Sequence, residues 1–214
     1  GFALDLNAVL ILVTINQGFG NTLSSIGIII AFGSIIGTFL EKSGATRRLA
    51  QALINVIGSR KSPLALNFTG LLIAIPVFCD SGFIILSSLN KALRKKTGIS
   101  IVVFAVALST GLYVSHVFIP PTPGPLAAAA ALNADLGLVI LVGLFVAIPT
   151  ALVGYLWALR FKHLDTQNLE ANDTELTEPQ YSKQSLIGII LPIIIPIGLI
   201  ALKSIASYPT KPFG

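Results

Sequence analysis

The sequence predicts an all-α, polytopic membrane protein with broken transmembrane helices, a re-entrant hairpin and an interfacial amphipathic helix. Three observations carry this. Of 214 residues, 54% are apolar and only 11% charged, with a mean hydropathy of +0.86. A soluble domain has about 25% charged residues, so this chain has too few polar groups to cover a water-facing surface. Uncharged runs long enough to cross a bilayer recur along the chain. Two of the apolar runs are interrupted by proline and glycine at depths where loose backbone is tolerated only inside protein or along a cavity.

Each element follows from its local pattern. Residues 6–15 are apolar but short, and read as the remainder of a cut span. Residues 22–40 carry no charge over 19 positions, enough for one transmembrane helix. They hold Gly33 and Gly37 at the GxxxG spacing that permits close helix contact. Over 41–61, Leu49, Leu53, Val56 and Ile57 recur at helical spacing, with Arg48, Gln51, Asn55 and Ser59 opposite. That predicts a basic amphipathic helix lying in the membrane interface.

Residues 64–90 are apolar around one charge, Asp80. Arg60 and Lys61 precede the run; Lys91, Arg94, Lys95 and Lys96 follow it. A simple span would put one basic cluster outside, against the positive-inside tendency. A re-entrant hairpin with its tip near 76–82 keeps both inside. Residues 97–134 hold no Asp, Glu, Lys or Arg over 38 positions. As one helix they would measure about 57 Å, almost twice the hydrocarbon thickness. Pro120-Pro121-Thr122-Pro123-Gly124-Pro125 supplies the break, and a short helix is expected to restart over 126–134. Residues 136–159 form an uncharged span. Residues 159–184 form a hydrophilic cytoplasmic loop with five acids and three bases. Residues 185–202 form a last span, kinked at Pro192 and Pro196.

Charge and cysteine usage exclude other classes. The 14 Lys+Arg against 9 Asp+Glu sit mostly between apolar runs, the pattern of cytoplasmic membrane loops rather than of a nucleic-acid binder. Cys79 is the single cysteine and forms no internal disulfide. No metal-ligand cluster, nucleophile elbow or phosphate-binding glycine loop is present, so neither a metal nor another cofactor is expected. The chain begins at Gly1 and holds no Met. It reads as one membrane domain, 1–214, that is a fragment of a longer protein.

The candidate functional residues are those that are costly at membrane depth. An intramembrane carboxylate faces a cavity or a partner, which makes Asp80, with Ser81 and Gly82, a coupling or substrate site. Its structural alternative is a cap on a broken helix. His116 is the one side chain between 97 and 134 whose ordinary titration falls near neutrality, since imidazole changes charge there. Ser115 and His116 precede the proline break. Pro121, Thr122 and Gly124 offer exposed backbone, and the restarted helix offers N–H donors for a carboxylate. The alternative is a rigid turn. Gly20, Asn21 and Thr22 are either a flexible opening to a span or an unwound binding element.

Four stretches together resemble the gluconate permease family of bacterial proton symporters. They are Gly18-Phe19-Gly20-Asn21-Thr22-Leu23, Leu40-Glu41-Lys42-Ser43-Gly44-Ala45, Pro76-Val77-Phe78-Cys79-Asp80-Ser81-Gly82-Phe83, and Ser115-His116 followed by Pro120 to Pro125. The resemblance covers about residues 18–160, as the N-terminal half of a carrier about twice this length. It implies an inverted-repeat transporter of the ion-transporter superfamily, multi-pass in the bacterial inner membrane. It implies uptake of gluconate or a related sugar acid with protons; the family also includes carriers for D-serine and other small hydroxy acids. The expected partners are the small carboxylate, protons and lipid, with no nucleic acid; a homo-oligomer stays open. Two readings compete with a carrier. One is a membrane-embedded enzyme using Asp80 and His116 as an acid–base pair. The other is a non-transporting scaffold.

Overall fold

In lipid every backbone amide must find its partner within the protein, which drives an apolar chain into helices. The computed structural model describes residues 7–164 and 186–207, and among them every regular element is helical. Three segments are long and apolar enough to cross a membrane: Ala8–Lys42, Ile101–Ala131 and Leu136–His163.

Helix α1, Ala8–Lys42, starts where the Asn7 side chain accepts the Val9 N–H at 3.0 Å. It merges the expected remnant over 6–15 with the span over 22–40. Gly18 and Gly20 do not interrupt it, because continuing the ladder satisfies amides that an opening would strand. Helix α2, Ala45–Ile57, is amphipathic as predicted, yet its apolar face (Thr46, Leu49, Ala50, Ile54) is buried against protein. The expected apolar stripe is displaced by part of a turn, leaving Val56 84% exposed. A 3-10 turn, Ser59–Lys61, leads to helix α3, Ser62–Ile73.

Helix α3 lies in the core. Nine of its twelve residues are buried, so it is apolar nearly all round, as a fully packed helix must be. At about 18 Å it is too short to cross a bilayer. The chain breaks over 74–78 and resumes as helix α4, Cys79–Thr97. This is the interruption expected near 76–82, shifted towards the N-terminus. Both ends of the α3–α4 unit reach one cavity, lined by Arg60 and Pro63 on one side and Gly98 to Ser100 on the other.

Helix α5, Ile101–Phe118, packs against α3, α4 and helix α7, Leu136–Ala158. Small residues set the spacing. Gly70 and Gly111 let α3 and α5 cross backbone to backbone: a Cβ on Gly111 would collide with the Asn67 carbonyl. Asn67, fully buried, fastens the crossing by donating from Nδ2 to the Ala107 carbonyl at 2.9 Å and to Thr110 Oγ1 at 3.0 Å. On α7, Gly143, Ala147, Ala151 and Ala158 are buried small residues, with Gly137 and Ile140 buried nearer its start, while Phe145 and Val153 face outward.

The proline break falls where expected. Helix α5 ends at Phe118, and helix α6, Pro123–Ala131, follows. The restart comes at Pro123 rather than 126, because proline lacks only an N–H that the first turn leaves unused. A 3-10 turn, Leu159–His163, closes α7, and helix α8, Leu186–Ser207, runs unbroken through Pro192 and Pro196. Most of the hydrophilic segment 159–184 lies outside the described residues.

The crossing of α3 and α5 yields a contrast. Gly111→Ala is expected to lower stability by about 1–3 kcal/mol through overpacking. Gly18→Ala, with nothing within 4 Å of its Cβ, is expected to be neutral or stabilising. Thermal melting of the detergent-solubilised protein compares them; equal losses would contradict the packing described.

Candidate functional site

The two helix breaks meet. A narrow cleft is lined by Ala74 to Phe78 from the first break, Pro121 to Pro123 from the second, and Ile30, Gly33 and Ser34 from α1. Helix α1 can approach both because it is small there. A Cβ on Gly37 would collide with the Pro76 carbonyl, and one on Gly33 would lie 4.0 Å from Pro121 Cγ. The GxxxG spacing of the sequence therefore contacts two irregular segments rather than a second intact helix. The cleft holds about 20 Å³, space for one water.

At the second break, Thr122 is buried and donates from Oγ1 to the Ile119 carbonyl at 2.7 Å. It is also the residue before α6. Pro123 and Pro125 occupy the first turn of α6 and have no N–H, and the Leu126 N–H returns to the Thr122 carbonyl at 3.2 Å. Of the first three positions, Gly124 alone supplies an amide. The expected row of N–H donors after Pro125 is thus reduced to a single donor at Gly124, where a Cβ would meet nothing within 4 Å.

Asp80 lies in the first turn of α4 and is exposed, where the helix dipole favours a carboxylate. Cys79 Sγ donates to its Oδ1 at 3.7 Å. Asp80 is beside the first break but does not line the cleft. Ser81 is half-buried. Gly82 is a packing residue: a Cβ there would lie 2.9 Å from the Leu112 side chain.

Ser115 and His116 occupy the last turn of α5. Ser115 is fully buried. Thr22, Ser25 and Ser34 each donate to the carbonyl four residues back; Ser115 Oγ has no hydrogen-bond partner among the described residues, and neither does the buried His116 Nδ1. Two unpartnered polar atoms on consecutive residues beside a helix break have capacity for a ligand. The His116 ring also lies 6.5 Å from that of Tyr113.

Gly20, Asn21 and Thr22 are not brought to the cleft. They are exposed on a continuous helix, about 20 Å along its axis from Gly33. This stretch is continuous helix here rather than an unwound element, and the Thr22 hydroxyl donates to the Gly18 carbonyl at 2.9 Å. Sequence reasoning passed over Ser34 and the full weight of Gly33 and Gly37. The glycine spacing was the available signal. No group of three or more potential metal ligands occurs among the described residues.

Fold and site together define a multi-pass membrane protein in which two interrupted helices face each other across a glycine-bearing span. Comparison with known proteins places it further: the chain belongs to the family described as GntP family permease, whose model matches residues 1–212. It is 37% identical over 206 residues to an uncharacterized permease of Haemophilus influenzae, covering 90% of this chain and 42% of that protein. It is 31% identical to the Gnt-II system L-idonate transporter of Escherichia coli, covering 96% and 47%. It is 32% identical to a gluconate permease of Pseudomonas aeruginosa, covering 92% and 44%. The chain thus spans less than half the length of these relatives. No solved structure matches it. The protein is a multi-pass protein of the bacterial inner membrane.

The site generates a pair of stability predictions. Thr122→Val removes the hydroxyl donor to the Ile119 carbonyl, leaving it the longer bond from the Thr122 N–H at 3.4 Å, and is expected to cost about 1 kcal/mol, whereas Thr122→Ser keeps the hydroxyl bond. Ser115→Ala removes a hydroxyl that bonds nothing and is expected to leave melting unchanged. A large loss of stability in Ser115→Ala would contradict its unpartnered state.

Proposed function

We propose that the protein carries gluconate or a closely related sugar acid across the inner membrane together with protons. The observation that supports this most is the convergence of two helix breaks against α1, because irregular backbone at membrane depth is retained where it lines a transport path. The names of the relatives, a gluconate permease and an L-idonate transporter, support a hexonate as substrate. In this reading Ser115 Oγ, Gly124 N–H and Thr122 bind hydroxyl and carboxylate oxygens of the acid. His116 or Asp80 takes the coupling proton. The α3–α4 unit is a re-entrant hairpin with both basic clusters in the cytoplasm, which accords with the positive-inside tendency. The cleft between the breaks is far smaller than a sugar acid, so in this reading it widens as the carrier alternates between its two faces.

A carrier whose proton site is lost but whose substrate site remains exchanges substrate without responding to a pH gradient. Uptake of labelled gluconate by proteoliposomes of the intact protein is expected to lose its pH-gradient stimulation in Asp80→Asn or His116→Ala, with exchange retained in at least one of them. Full gradient-driven uptake in both variants would remove these residues from the coupling role. Competition by unlabelled idonate in the same assay reads how far the site distinguishes the two acids.

A further inference from the structure

A second cavity lies at the basic end of the bundle, away from the helix breaks. It encloses about 360 Å³ and is lined by Arg60, Pro63, Gly98, Ile99, Ser100, Tyr155, Leu159 and Lys162. Three separate chain segments build it: the turn before α3, the connection from α4 to α5, and the end of α7. Arg60 and Lys162 are exposed and have no ion-pair partner among the described residues. They bring two positive charges to one concavity. The N-terminus of α5 opens there too. Ser100 caps it, accepting the Val102 N–H at 3.2 Å and donating to the Leu164 carbonyl at 2.7 Å. That second bond ties the α7 end to the cavity wall. A helix N-terminus beside two cations attracts an anion, and the wall is fixed before any ligand arrives.

The surroundings say which anion. Trp157 and Tyr155 are aromatic residues of the kind that sit at the headgroup level of a membrane. The Arg160 guanidinium stacks over Trp157 at 4.9 Å. On the same stretch of α7, Leu152, Val153 and Leu156 are exposed apolar side chains, a surface along which acyl chains can run. An anion with a hydrocarbon tail fits a basic cavity whose rim is aromatic and whose flank is apolar. A basic pocket between helices on the cytoplasmic side is a headgroup site for acidic lipids.

We infer that this cavity, through Arg60, Lys162 and the N-terminus of α5, binds the phosphate of an acidic phospholipid headgroup. The site is independent of the transport reading, because it shares no residue with the breaks. The bound lipid joins the start of α3, the end of α4 and the end of α7, and so braces the α3–α4 unit from its open end.

Thermal melting of the intact protein in detergent tests this, with phosphatidylglycerol, phosphatidylcholine or inorganic phosphate added. Phosphatidylglycerol is expected to raise Tm well above the phosphatidylcholine value. Most of that increment disappears in the Arg60→Gln, Lys162→Gln double variant and persists in Lys91→Gln, a control on the exposed end of α4. An equal response to phosphatidylcholine overturns the proposal, as does a double variant that keeps the increment. Inorganic phosphate reproducing the full increment overturns the lipid assignment. Should the double variant not fold, native mass spectrometry of the unaltered protein decides. Preferential retention of phosphatidylglycerol supports the site, and equal retention of both lipids contradicts it.

Discussion

A peptide group at membrane depth has no water to bond, and this constraint organises the structure. Stranding one N–H or C=O there costs several kcal/mol. Each helix break must therefore be packed against something that supplies bonds or excludes lipid. The breaks over 74–78 and 119–122 are packed against one another and against α1. The same demand explains why α1 passes straight through Gly18 and Gly20: no neighbouring element among the described residues is at hand to satisfy an opening.

Close packing of backbone follows from small residues, which stand at such contacts on α1, α3, α5 and α7. Gly37 admits the Pro76 carbonyl, Gly111 admits the Asn67 carbonyl, and Gly143 admits the Phe118 carbonyl. Each contact sits at or near the end of a helix that stops short or at the crossing of two buried helices. Lipid gives apolar side chains little reason to associate with one another, so van der Waals contact at this range and the few interhelical hydrogen bonds do most of the joining. Asn67 bridging to Ala107 and Thr110 is the clearest such bond.

Much of this was legible in the sequence, and the limits have physical reasons. Proline cannot donate, so both breaks could be located to within a few residues. The restart at Pro123 was placed late because proline in a first turn is harmless, a local effect that outweighs its reputation as a breaker. Val56 falls on the apolar stripe expected to lie in the membrane interface, whereas the face packed on protein is that of Leu49, Ala50 and Ile54; several stripes of α2 are apolar and only the neighbouring α3 chooses among them. Gly18 to Thr22 looked like a loop because its residues favour loops in water. That the breaks meet, and that Gly33 and Gly37 lie between them, is a product of long-range packing that no local pattern announces. The unpartnered Ser115 and His116 atoms were legible as candidates, but their lack of hydrogen bonds was not.

The central claim is that the meeting point of the two breaks with α1 lies on the transport path. Gly33→Cys with Pro121→Cys, in a Cys79→Ser background, places a thiol pair across that point: a Cβ at Gly33 lies 4.0 Å from Pro121 Cγ, the Pro121 Cβ is one bond (about 1.5 Å) from that atom, and a small backbone shift brings the two Cβ atoms to the roughly 3.5–4.5 Å that a disulfide spans. Uptake of labelled gluconate into membrane vesicles is measured before oxidation, after it, and after reduction. The account predicts that the cross-link forms, that uptake falls with it, and that reduction restores uptake. A cross-link that forms fully and leaves uptake unchanged would contradict it, as would a pair that never cross-links in a protein that still transports.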